Sequence, residues 1–208
     1  MGIQVVIFDC GGVLLRDRDD AAYAAWGARL GLGADDLRQA LYTSRAWSLA
    51  ERGQLSEAEF WVQVVRELGL GDEAQAQSLA ADLWDSWTVD DAVLGLIDRL
   101  RGRYRVAMLS NATDILEHNL AHRYGVADRF ELIVNSARLG VAKPEPAIYA
   151  ETLRRLGARP AEVLFIDDRA ENIAAAAALG LHVIWFVGAA ELERQLAVHL
   201  NHGALDRD

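Results

Sequence analysis

Five short apolar runs constrain the fold of this chain more than any other feature of its sequence. They are rich in Val, Ile, Leu and Phe, and they do not alternate with polar residues. Uninterrupted runs of this length are typical of parallel strands that are covered on both faces of a sheet. The runs occupy Val5–Phe8, 106–109, 132–134, 163–166 and 183–187. We therefore expect a sheet of five parallel strands.

Helical stretches separate the later runs. They cover 114–123, Pro146–Leu156 and 170–179, and Gly157 and Gly180 stand where helix C-terminal caps belong. Strands and helices that alternate in this way form right-handed crossover units. The sequence therefore predicts an α/β fold with a doubly wound, Rossmann-like parallel sheet.

The segment between the first two runs breaks this rhythm. Its periodicity is helical and punctuated by glycine, and Ser56 with Glu59 forms a capping box at the start of one helix. We predict an inserted all-helical cap domain whose last helix leads back to the sheet. The expected boundaries are a Rossmann-like catalytic core of 1–15 and 101–208 and a cap of 16–100.

Composition and charge argue against several classes of protein. The 208 residues include a single cysteine, Cys10, which excludes an internal disulfide framework and a cysteine-rich zinc site. The net charge of −10 opposes binding to nucleic acid. No apolar run approaches the roughly 20 residues that a membrane span needs, and the N-terminus lacks the basic opening of a signal peptide. We expect a cytoplasmic monomer or homodimer with no nucleic-acid or membrane partner.

The carboxyl ends of the predicted strands carry most of the groups that could do chemistry. Ligands of open α/β sheets bind beyond these ends. The strand ends supply Asp9, Ser110, Asn111, Asp167 and Asp168, and the loop 140–146 adds Lys143. We therefore expect three carboxylates, a hydroxyl, an amide and a lysine to converge on one edge of the sheet.

This set of groups suits phosphoryl transfer, which depends mainly on charge neutralisation and positioning. An aspartate such as Asp9 can attack phosphorus and form an aspartyl-phosphate, and Mg²⁺ would reduce its repulsion of the phosphate. Mg²⁺ prefers oxygen ligands, which Asp9, Asp168 and the backbone carbonyl of Gly11 can supply, with Asp167 acting through water. The sequence therefore predicts Mg²⁺ as the cofactor and Asp9 as the nucleophile.

Further side chains complete the predicted site. Ser110 and Asn111 can donate hydrogen bonds to phosphoryl oxygens, and Lys143 can hold Asp9 and the phosphoryl group together. Asn172, four residues after Asp168, either orients the ligands or is a plain surface residue.

Two cap residues and one core residue have alternative interpretations. Arg45 and Trp47 are candidates for substrate contact, but surface arginines are common, and the tryptophans of the insert also suit the core of a small helical domain. Cys10 resembles a nucleophile by its position. Strand alternation directs it away from Asp9, so we expect a buried, inert thiol.

The residues of the site form four motifs in order along the chain. The motifs are Phe8-Asp9-Cys10-Gly11-Gly12-Val13, Leu109-Ser110-Asn111, Lys143-Pro144-Glu145-Pro146 and Ile166-Asp167-Asp168-Arg169-Ala170-Glu171-Asn172. They resemble those of the haloacid dehalogenase superfamily, whose members are mostly phosphatases, over almost the whole chain. The resemblance implies a covalent intermediate at Asp9, Mg²⁺ as cofactor and a helical first-position cap. The cap segment 51–56 resembles that of the sugar-phosphatase branch that includes α-glucose-1-phosphate phosphatase, and the chain is most similar to this branch.

Gly11 departs from the commonest phosphatase pattern of that superfamily. Most members carry a second aspartate there as general acid and base, and its loss typically costs about 10²–10⁴-fold when the leaving group needs a proton. Three functions stay open: a Mg²⁺-dependent phosphatase for a small phosphorylated metabolite such as a sugar phosphate, a haloacid dehalogenase, or a binding protein that lost the chemistry. We favour the phosphatase, because Asp167 and Asp168 without a cation would repel a carboxylate substrate.

Overall fold

Five parallel strands form the centre of the molecule. The computed structural model describes residues 2–200. The strands are β1 (Val5–Phe8), β4 (Arg105–Ser110), β5 (Leu132–Asn135), β6 (Val163–Asp167) and β7 (His182–Trp185). Their order is β5-β4-β1-β6-β7, and all neighbours are parallel. The predicted five-stranded, doubly wound α/β fold is confirmed.

Side chains of the strands alternate between two hydrophobic clusters, one on each face of the sheet. In β1, Val6 and Phe8 belong to one cluster, and Val5 and Ile7 belong to the other. The first face is covered by α6 (Asp91–Leu100) and α11 (Ala189–His199), and the second by α9 (Pro146–Leu156) and α10 (Ala170–Ala178). Because both faces are covered, the strands need no polar alternation.

The core helices follow the predicted positions with one exception. The helix α9 spans the predicted residues and ends at Gly157, whose left-handed conformation (φ 59°) suits a glycine cap. The predicted helix 114–123 is instead a short helix α7 (Leu116–His118) that continues as a π-helix (Asn119–Arg123). The remaining short elements are α8 (Ser136–Leu139) and the 3₁₀ turns Ala127–Arg129 and Pro160–Glu162.

The inserted cap has a hydrophobic core of its own. Its helices are α1 (Ala21–Ala28), α2 (Ala34–Tyr42), α3 (Arg45–Ala50), α4 (Glu57–Glu67) and α5 (Glu73–Ser86). Their buried side chains form a third cluster, which includes Tyr23, Trp26, Phe60 and Trp61. The predicted capping box opens α4, because the Ser56 hydroxyl accepts from the backbone of Glu59 and the Glu59 carboxylate accepts from the backbone of Ser56.

A short antiparallel ribbon shows that the insert is not all-helical. Its strands are β2 (Leu15–Asp17) and β3 (Trp87–Val89), and Asp17 pairs with Trp87. Three-residue strands are too short to show a period-2 pattern, so the sequence did not reveal them. The helix α6 packs into a cluster of the sheet rather than the cap. We therefore propose a cap of 18–86 in place of the expected 16–100.

No helix within residues 2–200 has the length and apolarity to cross a membrane. The expected core range 101–208 extends past the described part of the chain, and residues 201–208 lie outside it.

Candidate functional site

Three carboxylates and a lysine meet at the carboxyl ends of β1 and β6. Asp9 follows β1, Asp167 is the last residue of β6, the neighbour of β1, and Asp168 follows it. Oxygen atoms of the three carboxylates lie within 4.8 Å of one another. The Nζ atom of Lys143 lies 2.8 Å from Asp9 Oδ1 and 2.7 Å from Asp167 Oδ2. The sheet therefore brings together the groups that the sequence placed at separate strand ends.

Both the side chain and the backbone of the buried residue Lys143 form hydrogen bonds. Its Nζ also donates to the carbonyl of Leu109 at 2.9 Å. The side-chain amide of Asn111 accepts from the Lys143 backbone N–H at 2.8 Å and donates to the Lys143 carbonyl at 2.9 Å. Burial alone would lower the pKa of Lys143, but the carboxylates of Asp9 and Asp167 raise it above its usual value. Lys143 is therefore a fixed positive charge beside Asp9.

Asp9 is a buried carboxylate, and one of its two oxygens accepts hydrogen bonds. Its Oδ1 accepts from the backbone N–H of Cys10 at 2.7 Å and from Lys143, and Oδ2 takes part in neither contact. Burial raises the pKa of Asp9 to about 7, an effect that Lys143 opposes and Asp167 adds to. Oδ2 is therefore the oxygen that is open to attack an electrophile.

Asp167 and Asn172 form the rigid base of the site. Asp167 is fully buried, and the Asn172 amide donates to both of its carboxylate oxygens at 3.0 Å. The backbone N–H of Arg169 donates to Asp167 Oδ1 at 2.8 Å. The hydroxyl of Tyr149 donates to the Asn172 carbonyl. Asn172 is thus a buried residue that orients Asp167, and the alternative of a plain surface residue is wrong.

The donor set fits a divalent cation. Asp9, Asp167 and Asp168 carry three negative charges against the single positive charge of Lys143. Burial, followed by the charge of Asp167, also raises the pKa of Asp168. All the donors are oxygen atoms, which Mg²⁺ prefers. Both oxygens of Asp167 already accept hydrogen bonds, which favours Asp9 and Asp168 as direct ligands and contact through water for Asp167.

The glycines after Asp9 shape the loop around that site. Gly12 has a φ of 82°, and a Cβ atom there would lie 2.2 Å from Asp168 Oδ2. Only glycine therefore fits at position 12. The backbone N–H groups of Leu14 and Leu15 both donate to the carbonyl of Cys10. The Gly11 carbonyl takes part in neither bond, so it stays a candidate ligand.

Ser110 and Asn111 lie at the end of β4, beside the cation site. Ser110 is buried, and its hydroxyl donates to the Asn111 carbonyl at 3.4 Å. The Asn111 amide donates to Lys143 and to Glu51 Oε2 of the cap, the latter at 3.0 Å. Both amide hydrogens are thus used within the protein. In this arrangement Asn111 positions Lys143 rather than presenting a free donor to a phosphoryl group.

Cys10 lies next to Asp9 but on the other side of the strand. Its side chain is buried in a hydrophobic cluster of the sheet. Burial raises the pKa of its thiol. The predicted burial of Cys10 is confirmed, and its high pKa opposes a role as nucleophile.

The cap and the core enclose a cavity of about 700 Å³ above Asp9. Trp47 lines it, as predicted, whereas Arg45 is exposed and is not among its lining residues. The cap supplies Arg38, Tyr23 and Tyr42 instead, three residues that the sequence analysis missed. Nothing in the local sequence marks them, because helix packing decides which side chains face the cavity.

Three polar contacts hold the cap against the core on one side of the cavity. Arg52 Nη2 donates to Glu145 Oε1 at 2.8 Å. The backbone N–H of Glu57 donates to Asp114 Oδ1 at 2.7 Å, and its carboxylate accepts from the hydroxyl of Thr113. These contacts fix the segment between α3 and α4 over the strand ends.

A family model for haloacid dehalogenase-like hydrolases matches residues 3–180. The chain belongs to the haloacid dehalogenase-like hydrolase family. Membership of this superfamily, which the four motifs predicted, is confirmed. The match spans the cap and the first four strands of the sheet along the chain, from β1 to β6, so it covers every residue of the site described above.

Named relatives of this haloacid dehalogenase-like hydrolase cover most of its length. D-ribitol-5-phosphate phosphatase of Bacteroides thetaiotaomicron is 29% identical over 212 residues, which cover 96% of this chain and 99% of the relative. A haloacid dehalogenase family enzyme of the same organism, solved with magnesium and inorganic phosphate, aligns with a TM-score of 0.70 and 26% identity over 88% of this chain and 93% of its own. L-2-haloacid dehalogenase of Xanthobacter autotrophicus aligns with a TM-score of 0.67 and 25% identity over 98% of this chain and 84% of its own.

Proposed function

We propose that this chain is a phosphatase that hydrolyses a small phosphorylated metabolite through an aspartyl-phosphate at Asp9. The observation that carries this proposal is the arrangement of Lys143 between Asp9 and Asp167, with Asp168 adjacent. This arrangement leaves one oxygen of Asp9 open and leaves an excess of negative charge that a divalent cation would offset. The named similarity to a phosphatase, D-ribitol-5-phosphate phosphatase, supports the same reaction class.

The cation of the proposal is Mg²⁺. Asp9, Asp168 and the Gly11 carbonyl would hold it, with Asp167 acting through water. When bound, Mg²⁺ supplies the positive charge that lets an anionic phosphate approach an anionic carboxylate. The solved relative that contains magnesium and inorganic phosphate supports this cofactor.

The reaction has two steps at Asp9. In the first step, Asp9 Oδ2 attacks phosphorus and the bond between phosphorus and the alcohol oxygen breaks. The alcohol oxygen takes its proton from water, since Gly11 carries no acid. In the second step, water attacks phosphorus, the bond to Asp9 breaks, and inorganic phosphate is released. Lys143 holds Asp9 in place in both steps and offsets the charge of the phosphoryl group. Ser110, buried at the neighbouring strand end, is the proposed donor to a phosphoryl oxygen.

The cap excludes bulk water and selects the leaving group. Trp47, Tyr42 and Trp87 line the cavity, and an aromatic wall of this kind suits the ring or carbon chain of a sugar. We therefore propose a sugar or sugar-alcohol phosphate as the substrate, as expected for the sugar-phosphatase branch.

Phosphate release from p-nitrophenyl phosphate, measured with Mg²⁺ and again with excess EDTA, tests the proposed function. We expect turnover with Mg²⁺ and its loss with EDTA, while Asp9→Asn stays inactive under both conditions. A parallel assay measures halide release from 2-chloropropionate without metal. Halide release in place of phosphate release would support the dehalogenase alternative, and the absence of turnover in both assays would support a binding protein that lost the chemistry.

A further inference from the structure

We propose, on the basis of the phosphatase function above, that the cavity accepts phosphomonoesters with an uncharged leaving group and rejects those with a second anionic group. A second carboxylate or phosphate on the substrate would need a cation in the cavity wall. The cap supplies one arginine there, Arg38. The structure assigns Arg38 a different task, because protein carboxylates already surround it.

Three aspartates, one at the end of β2 and two in the cap, bind the guanidinium group of Arg38. Its Nη2 lies 3.1 Å from Asp17 Oδ2 and 2.7 Å from Asp20 Oδ1, and its Nη1 lies 2.6 Å from Asp35 Oδ1. The Nε atom also donates to Asp17 Oδ2. The guanidinium also lies over the ring of Tyr23, with Cζ of Arg38 4.2 Å from the ring centroid. We call Arg38, Asp17, Asp20 and Asp35 the Arg38 cluster.

The Arg38 cluster carries an excess of negative charge. Its three carboxylates outnumber its single guanidinium, and all four side chains line the cavity. An anionic group that reached this wall would have to displace an aspartate from Arg38 or lie beside the excess charge. Both are unfavourable, because like charges in a partly enclosed site repel. The cluster therefore acts against a second anion on the substrate.

The other cations of the cavity wall are paired in the same way. Arg16 Nη1 lies 3.2 Å from Asp90, and Arg169 Nη2 lies 2.7 Å from Glu171. Lys143 is held by Asp9 and Asp167. Within residues 2–200, each cationic side chain that lines this cavity thus already has a carboxylate partner. The positive charge available for the phosphoryl group is confined to the strand ends.

Neutral hydrogen-bonding groups line the rest of the wall. The hydroxyls of Tyr23 and Tyr42 lie 3.3 Å apart, and the Trp87 indole donates to the hydroxyl of Tyr23 at 3.4 Å. Gln39 and Thr43 line the same region. Hydroxyls and amides of this kind both donate and accept, which matches the hydroxyl groups of a polyol. The favoured substrate class is therefore a monophosphate of a neutral polyhydroxy compound.

Pairs of substrates that differ only in a terminal carboxylate test this inference. Glycerol 3-phosphate is compared with 3-phosphoglycerate, and erythritol 4-phosphate with 4-phosphoerythronate, so that both members of a pair release a primary alcohol. We expect kcat/KM to favour the neutral member of each pair by about tenfold or more. Equal kcat/KM within both pairs would overturn the inference and leave the phosphatase function intact. No phosphate release from either pair or from p-nitrophenyl phosphate would instead overturn the phosphatase function.

A charge-matched pair of variants then assigns the selectivity to the Arg38 cluster. Asp20→Asn/Asp35→Asn leaves Asp17 as the only carboxylate partner of Arg38 within the Arg38 cluster and removes two negative charges from the cavity wall. Glu67→Gln/Glu73→Gln removes two negative charges from cap residues that do not line this cavity. We expect the first variant to lose about fivefold or more of the preference for the neutral substrates, and the second to keep it.

Selectivity that survives in Asp20→Asn/Asp35→Asn, or that falls equally in both variants, would overturn the assignment to the Arg38 cluster. Melting temperatures are measured beside the kinetics. If the double variant does not fold, Asp35→Asn alone is compared with Glu67→Gln, because Asp35 and Glu67 are both exposed residues of cap helices.

Discussion

The indole of Trp87 lies against Gly11, so that a Cβ atom at Gly11 would be 3.5 Å from Trp87 Cη2. Gly11 occupies the position at which most phosphatases of this superfamily carry a second aspartate. Its φ does not lie in the left-handed range, in contrast to that of Gly12. A Cβ atom at position 11 would therefore make an ordinary van der Waals contact with Trp87 and cause no backbone strain.

This contact makes Gly11→Asp an informative substitution. Without an acid at position 11, the wild type should prefer sugar 1-phosphates and aryl phosphates over sugar 6-phosphates, because an anomeric hydroxyl or a phenol leaves more easily than a primary alcohol. We expect Gly11→Asp to raise kcat/KM for a 6-phosphate by about 10-fold or more and to change that for p-nitrophenyl phosphate little. Initial rates across a leaving-group series measure both effects.

Two controls accompany Gly11→Asp. Gly12→Asp places the same side chain one residue later, where it would collide with Asp168 and require strained backbone, and it should lose activity on all substrates. Wild-type first-step rates that do not depend on the pKa of the leaving alcohol would contradict the prediction, since they would show that another acid protonates the leaving group.

Asp9→Asn should abolish turnover and leave the fold intact. The amide cannot form the acyl phosphate, and a reduction of several orders of magnitude is expected when a covalent nucleophile is removed. Rapid acid quench with ³²P-labelled substrate should trap label on Asp9 in the wild type. Label on any other residue would refute the role of Asp9. Cys10→Ala, which removes the neighbouring thiol, is the matched control, and we expect it to be labelled on Asp9 as the wild type is.

Asp168→Asn should weaken Mg²⁺ binding. The substitution keeps the size of the side chain but removes one negative charge from a site with an excess of two. We expect the Kd for Mg²⁺ to rise by about tenfold or more, as measured by isothermal titration calorimetry without substrate. Glu171→Gln, in the first turn of the following helix, is the control for loss of charge. An unchanged Kd in Asp168→Asn would remove Asp168 from the proposed ligands.

Trp185 should contribute to the same site through the backbone of Asp168. Its side chain is 54% exposed, yet its Nε1 donates to the Asp168 carbonyl at 2.8 Å. Trp185→Phe keeps the ring and removes the donor, so the loop that carries Asp168 loses one restraint. We expect the Kd for Mg²⁺ to rise by up to about tenfold, with little change in melting temperature.

The neighbouring exposed residue Val187 provides a control for that measurement. Val187→Thr should leave the Kd for Mg²⁺ unchanged. If Trp185→Phe binds Mg²⁺ as tightly as Val187→Thr, the hydrogen bond from Trp185 to Asp168 does not contribute to Mg²⁺ binding.

The central sheet and its catalytic edge were predictable from the sequence. Strands such as β1 and β6 are buried along their whole length, and burial leaves a local record as an uninterrupted apolar run. Parallel strands share one carboxyl edge, so the residues after each run, among them Asp9 and Asp167, had to lie close together. Lys143 was expected at the same edge because its loop follows the apolar run of β5, but its contacts with both Asp9 and Asp167 are tertiary and no local pattern records them.

The cavity wall was decided by the tertiary structure alone. Arg38 and Arg45 both lie on cap helices, and no local signal distinguishes the arginine that faces the cavity from the one that is exposed. The partners of Arg38 come from β2, from the N-cap of α1 and from its own helix α2. The bonds of Asn111 to Lys143 and Glu51 join three separate segments. Such contacts depend on how distant elements dock. Apolar periodicity records which side of an element is buried, but not which polar residue of another element it will meet.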